Sequence, residues 1–289
     1  MSVKLDWARD GGDWPNRAAS RFVEAGGLRW HVQVTGAGPA VLLLHGTGAS
    51  THSWRDVAPA LAEHAMIIAL DLPGHGFTET PPSRGLTLPA MAQGVAMLVE
   101  ALGVEPQVIV GHSAGAAIAL RMVIDSLVQV RALVSLNGAL KPFPGATGLI
   151  FPSLAKLLFM NPVAPHFFAA GARDPAAVER LIVQTGSRID ATGLDLYRRL
   201  FRSPGHVAAT LGMMAQWDLA PLQADLPRLT TPTTLVYGEN DQAVAPQVAR
   251  DSAGLLPCAK LVALPGVGHL AHEERPDRAA EIILDALRI

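Results

Sequence analysis

The sequence predicts an α/β fold: a mostly parallel, doubly wound sheet with helices on both faces. Three observations carry this expectation. Short apolar runs recur along the chain, helix-like stretches separate them, and one long strand-free tract interrupts the rhythm before it resumes. Runs that are apolar on both faces suit central strands covered from both sides. Their alternation with helices implies parallel connections.

Taken in order, Arg29–Val34 alternates as a half-buried strand does. Val41–Leu44 (VLLL), Met66–Leu70 (MIIAL), Val108–Val110, Ala132–Leu136 (ALVSL), Thr234–Val236 and Lys260–Leu264 are apolar runs. Helix-like stretches cover Trp54–Glu63, Leu88–Leu102, Ala114–Ile124, Pro246–Leu255 and Pro276–Leu287. From about Leu140 to Trp217 there are helical patches, prolines and glycines, but no convincing strand. This tract reads as a helical cap on the C-terminal edge of the strands, where open α/β sheets bind ligands. The expected division is a core of residues 1–139 and 218–289, with a cap (lid) at 140–217.

Composition narrows the function classes. Of 289 residues 49% are hydrophobic, enough for a large buried core. The net charge is −2 and no basic run stands out, so no nucleic-acid partner is expected. One cysteine, Cys258, excludes an internal disulfide framework and a CxxC site, and fits a reducing compartment. The N-terminus carries Asp6, Asp10 and Asp13 and has no secretory apolar region. The longest greasy segment, Leu149 to Ala172, is broken by Pro152, Lys156, Asn161, Pro162 and Pro165, too often for a membrane span. A soluble chain is expected, in the cytoplasm or at a membrane surface.

The stretch from Val108 to Leu120, VIVGHSAGAAIAL, sets Ser113 between Gly111 and Gly115. This G-x-S-x-G pattern fits a sharp strand-to-helix bend that lifts a hydroxyl to a helix N-terminus, where developing negative charge is favoured. The bland alternative is a Gly/Ser turn. A serine nucleophile needs a base, and the base needs an orienting acid. Asp241 in VYGEND and His269 in LPGVGH each follow a strand, in the order Ser, Asp, His. Glu239 is the rival acid. His272 is the rival base and is expected on the turn beyond, as a surface or cap residue. An oxyanion hole needs two N–H donors, for which Ala114 and Thr47, in His45-Gly46-Thr47-Gly48, are the candidates. Here His45 reads as structural.

The segments VLLLHGTG, ALDLPGHGFT, VGHSAGAAIAL, VYGENDQAV and GVGHLAHEERP resemble the α/β-hydrolase family. The resemblance implies an eight-stranded-type sheet with a cap. It makes Ser113 the nucleophile, unlike the haloalkane dehalogenase and epoxide hydrolase branches, which use an aspartate. It gives His75 in DLPGHG a loop-positioning role. The entry segment DWPNRAASRFVEAGGLRWHVQVTG, together with SLNGALKPF, NPVAP, TGSRID and MMAQWDL, is similar to the magnesium-chelatase accessory proteins of bacteriochlorophyll synthesis. That likeness implies a role in inserting magnesium into protoporphyrin, with chelatase subunits as partners, and supplies no defined hydrolytic reaction.

The cap tract is apolar: Leu149, Ile150, Phe151, Leu154, Leu157, Leu158, Phe159, Met160, Phe167 and Phe168, with Met213, Met214 and Trp217 further on. Phe151, Phe159, Met213 and Trp217 are the candidate substrate-binding residues, for an apolar ester or a tetrapyrrole. Burial of the cap against the core is the plainer reading for any one of them. Part of the cap could instead touch lipid. No acidic cluster suits Mg²⁺, and no cofactor or resident metal is expected. His166 and His206 are candidate axial ligands to a chelated metal, against the plainer expectation that they face solvent. The chain lacks a P-loop, so it is no ATP-driven motor. Three functions stay open: a serine hydrolase serving magnesium chelation, a porphyrin-binding chaperone, and a generic carboxylesterase.

Overall fold

In a computed structural model of the chain, which describes residues 4–142, 157, 158 and 160–289, the apolar runs become one eight-stranded sheet. Its strands are β1 (Ser20–Ala25), β2 (Leu28–Thr35), β3 (Ala40–Leu44), β4 (Met66–Leu70), β5 (Pro106–His112), β6 (Ala132–Leu136), β7 (Thr233–Gly238) and β8 (Ala259–Leu264). Their order is β1-β2-β4-β3-β5-β6-β7-β8. The β1–β2 and β2–β4 pairs are antiparallel, and every other pair is parallel. The mostly parallel α/β sheet expected from the sequence is therefore present.

Strand periodicity decides what each face meets, because successive side chains point to opposite sides. From β3, Leu42 and Leu44 join one core with residues of the helices Leu88–Leu102 and Ala114–Ile124. Val41 and Leu43 join the other, with the helices Val57–Ala62 and Pro276–Leu287. Every residue of β3 is buried, which is why the run is continuously apolar. Each fully buried leucine of this kind contributes roughly 1.5–3 kcal/mol.

Three elements differ from expectation. β1 was not marked by its sequence, SRFVEA. It pairs with β2 across Gly26 and Gly27 (φ 57° and 75°) as an edge strand, whose weak alternation hides it. Lys260–Leu264 forms the opposite edge, not a central strand, so Lys260, Leu261 and Ala263 are exposed. The stretch Trp54–Glu63 divides into a 3₁₀ turn at Thr51–Trp54 and a helix only at Val57–Ala62.

Between β6 and β7 the described residues form the helices Ala164–Gly171, Pro175–Gln184, Ala191–Phe201, Pro204–Ala215 and Ala220–Asp225. Three of them start with a side-chain cap, from Asp174, Asp190 and Ser203, followed in two cases by proline in the first turn. No helix among the described residues is long and apolar enough to cross a membrane.

Candidate active site

Ser113 occupies the turn between β5 and the helix Ala114–Ile124, with φ 51° and ψ −116°. A positive φ at a non-glycine residue costs about 1–3 kcal/mol and must be held by its surroundings. The neighbouring glycines explain how. A Cβ on Gly111 would lie 2.4 Å from the Ala116 nitrogen, and one on Gly115 would lie 2.3 Å from the Leu44 carbonyl oxygen. The helix thus starts hard against β3 and β5, with Ser113 half-buried at its N-terminus.

Asp241 lies in the turn after β7 and is buried. Its Oδ1 accepts from the backbone N–H groups of Ala243 and Val244, both at 2.8 Å. Its Oδ2 accepts from Asn137 Nδ2 at 2.8 Å and from His269 Nδ1 at 2.9 Å. With Nδ1 engaged by Asp241, Nε2 is the remaining nitrogen of the His269 ring. The rival Glu239 is exposed.

His112 ties the His269 loop to the strand that leads into Ser113. Its Nε2–H donates to the His269 carbonyl oxygen at 2.9 Å, and the two rings lie 4.8 Å apart. Among the described residues no hydrogen bond joins the Ser113 hydroxyl to His269.

The loop after β3 runs directly over the serine. A Cβ on Gly46 would sit 3.0 Å from Ser113 Cβ and 2.8 Å from His112 Nδ1. The next residue, Thr47, donates its hydroxyl to Met213 Sδ at 3.5 Å. His45 is buried, accepts from Leu72 N–H at 2.9 Å and donates to the Gly46 carbonyl at 2.7 Å, so its ring fixes this loop. Burial lowers its pKa and favours the neutral ring.

Other candidates fall elsewhere. His272 is not at the surface. It is fully buried between Trp54 and His112, with ring centroids 4.5 and 4.4 Å away. Neither of its ring nitrogens has a hydrogen-bond partner among the described residues, and burial pushes its pKa down to about 3. His206 is also buried, not solvent-facing. It accepts from Gly76 N–H at 3.1 Å and donates to the Gly48 carbonyl at 3.1 Å. Burial brings its pKa to about 4. His75 is buried in the loop after β4, with Nδ1 3.1 Å from the Pro73 carbonyl, and burial holds it neutral. His166 is exposed.

Met213 is buried beneath Thr47, and Trp217 packs half-buried against the core. Phe151 and Phe159 lie outside the described residues. Among the described residues no cluster of acidic, histidine or cysteine side chains could hold a metal ion. A cavity of about 410 Å³ beside Lys4, Arg9, Asp13 and Arg202 lies away from Ser113 and shares no residue with this site.

Asn137, which the sequence reading missed, is buried just past β6 with φ 49°. Besides Asp241, it donates to the Gly268 carbonyl at 3.2 Å. The available signal was an asparagine before glycine at a strand exit, since asparagine tolerates the left-handed region better than most residues.

A serine on a strained elbow after one strand, and a histidine hydrogen-bonded to a buried aspartate on the loops after two others, are features of an α/β hydrolase, and the alpha/beta hydrolase fold family matches residues 39–276. The chain belongs to that family. Within it, the chain is 41% identical to the magnesium-chelatase 30 kDa subunit of Rhodobacter capsulatus, over 95% of this chain and 96% of that protein. It is 28% identical to haloalkane dehalogenase 2 of Mycobacterium tuberculosis, over 92% and 94% of the two chains. Two solved structures share the fold. A putative lipase from Acinetobacter baumannii has TM-score 0.79 at 22% identity, over 100% of this chain and 99% of that one. The epoxide hydrolase CorEH has TM-score 0.78 at 24% identity, over 93% and 98%.

Proposed function

We propose that this chain is a serine hydrolase serving magnesium chelation in (bacterio)chlorophyll synthesis, with an apolar ester or a tetrapyrrole ester as substrate. The 2.9 Å bond from His269 Nδ1 to Asp241 carries the chemical half, because it leaves Nε2 free to take a proton. The likeness to the magnesium-chelatase subunit supports the process.

In this reading Ser113 Oγ attacks the ester carbonyl carbon while His269 Nε2 takes the hydroxyl proton. Asp241 steadies the imidazolium that forms. The N–H groups of Thr47 and Ala114 hold the oxyanion. Losing one such donor costs about 100–1,000-fold in kcat. The intermediate collapses, the leaving alcohol takes its proton from His269, and a water activated by the same base releases the acid. Met213 and Trp217 line the apolar side of the pocket. The helical cap of residues 140–217 covers it. Exposed Leu157, Met160 and Phe167 support contact between the cap and an apolar surface such as a membrane.

The test is fluorophosphonate labelling together with complementation. Wild type should be labelled at Ser113, and His269→Ala should not. Ser113→Ala should fail to restore pigment in a deletion strain. The relative's identity as a chelatase subunit favours a second reading, a porphyrin carrier that needs no hydrolysis. Full complementation by Ser113→Ala, with saturable protoporphyrin binding, would establish the carrier and overturn the hydrolase.

A further inference from the structure

The acid-bearing and base-bearing loops are held from above by one short segment of the strand-free tract, residues 185–188. The Thr185 carbonyl accepts from Gln242 N–H at 3.0 Å and from His269 N–H at 3.3 Å. It therefore touches the residue after Asp241 and His269 itself. The Ser187 hydroxyl accepts from Leu270 N–H at 2.8 Å. Glu274 bridges the same pieces, accepting from Gly268 N–H at 2.9 Å and from Arg188 N–H at 3.2 Å.

Backbone packs on backbone here. A Cβ on Gly186 (φ 84°) would sit 1.9 Å from the Asn240 carbonyl oxygen. A Cβ on Gly268 would sit 2.2 Å from the Gly186 carbonyl carbon, and one on Gly238 would sit 2.3 Å from the Gly268 carbonyl oxygen. Three glycines thus stack one loop on the next, with no room for a side chain between them. Ser187 is fully buried, so solvent does not compete for its bond.

We propose that Ser187 is a positioning residue for the His269–Asp241 pair, acting through the Leu270 amide from a segment that locks both loops together. The proposal rests on the hydrolase reading for its kinetic arm only. Five backbone groups around His269 are engaged: the N–H groups of Gly268, His269 and Leu270, and the carbonyls of Gly268 and His269. Of these five partners, Ser187 can be deleted without touching Asn137, His112 or the strands. Its loss leaves the Leu270 amide buried and unpaired and frees the base loop to drift from the 2.9 Å contact with Asp241. A drift of about 1 Å at a catalytic group can cost on the order of 100-fold in rate.

The experiment compares wild type with Ser187→Ala, Ser187→Cys and Ser187→Thr. The cysteine variant keeps the volume with a poor acceptor, and the threonine variant keeps the hydroxyl. With a nitrophenyl ester, Ser187→Ala and Ser187→Cys should lose about 10-fold or more in kcat with KM within about twofold, and Ser187→Thr should restore most of it. The acidic limb of the kcat/KM profile should move in the first two variants.

A second measurement needs no turnover. The downfield proton of the His269 Nδ1–H···Asp241 bond, assigned by its loss in His269→Ala, should broaden or shift in Ser187→Ala and Ser187→Cys. Folded variants with wild-type kinetics and an unmoved resonance would overturn the proposal. If wild type shows no ester turnover, the hydrolase reading fails, and the resonance alone decides the role of Ser187.

Discussion

His272 makes the protein acid-sensitive in a way that a single substitution can isolate. Its ring is fully buried between Trp54 and His112, and burial together with His269, Arg55 and His45 brings its pKa to about 3. In the unfolded chain the ring titrates near its ordinary value of about 6.5. The folded pKa is the lower one, so between roughly pH 6.5 and 3 the unfolded state binds a proton that the folded state refuses. Stability from this group is full above about pH 6.5 and is lost as the pH falls. One such proton corresponds to about 1.4 kcal/mol per pH unit, so going from pH 6.5 to 4.5 costs about 2 kcal/mol. His272→Leu removes the titration with little change in volume. Urea unfolding at the two pH values should therefore show wild type losing about 2 kcal/mol more than the variant. His206 titrates in the same sense in both proteins, and Glu273, pushed up to about 7 by burial, titrates in the opposite sense in both, so neither enters the difference. Equal losses in the two proteins would show that His272 is no harder to protonate when folded, and would refute the buried stack.

Three further outcomes follow from the same geometry. Asn137→Gly keeps the left-handed backbone but removes the amide that donates to Asp241 and Gly268; kcat for a nitrophenyl ester should fall about 10-fold at near-constant KM. Gly115→Ala places a methyl 2.3 Å from the Leu44 carbonyl, so the elbow helix must shift; thermal melting should show a loss of several kcal/mol or an insoluble product. Tyr197→Phe removes the 2.8 Å hydroxyl donation to Glu273, which also accepts from Arg55 at 2.6 Å; stability should drop by about 1–2 kcal/mol in urea titration. That drop should be larger at pH 8 than at pH 6, because Glu273 is then ionised and needs the donor more.

Local pattern explains what was legible. The helices Leu88–Leu102, Ala114–Ile124 and Pro276–Leu287 run to their expected ends; the Thr87 cap and Gly103 mark both ends of the first, and Pro276 marks the start of the last. Ser113, Asp241 and His269 stand out for a related reason: each follows an apolar run, so a reader of the strands finds the exits. Residues whose role depends on distant partners carry no such mark. Ser187 meets Leu270, and Asn137 meets Asp241, across 83 and 104 residues. Nothing nearby distinguishes Ser187 from an ordinary turn residue, and the asparagine before glycine at Asn137 marks a strand exit without showing its distant partner. β1 escaped notice because an edge strand needs only a weak alternation.

Histidine was the residue most poorly read, and the reason is chemical. Read as a polar side chain, it is assigned to the surface, and His206 and His272 were. Yet burial drives His45, His52, His75, His112, His206 and His272 all toward the neutral form. A neutral imidazole is a flat ring with one donor and one acceptor, so it can bridge two backbone strands that no aliphatic side chain could join. His45 does so between Leu72 and Gly46, and His206 between Gly76 and Gly48. Both bridges reach the loop that runs on from β3 over Ser113. That loop therefore depends on rings that must remain uncharged, and the acid sensitivity isolated at His272 extends to the frame of the whole site. Protonating either bridge would turn its accepting nitrogen into a second donor facing a backbone N–H.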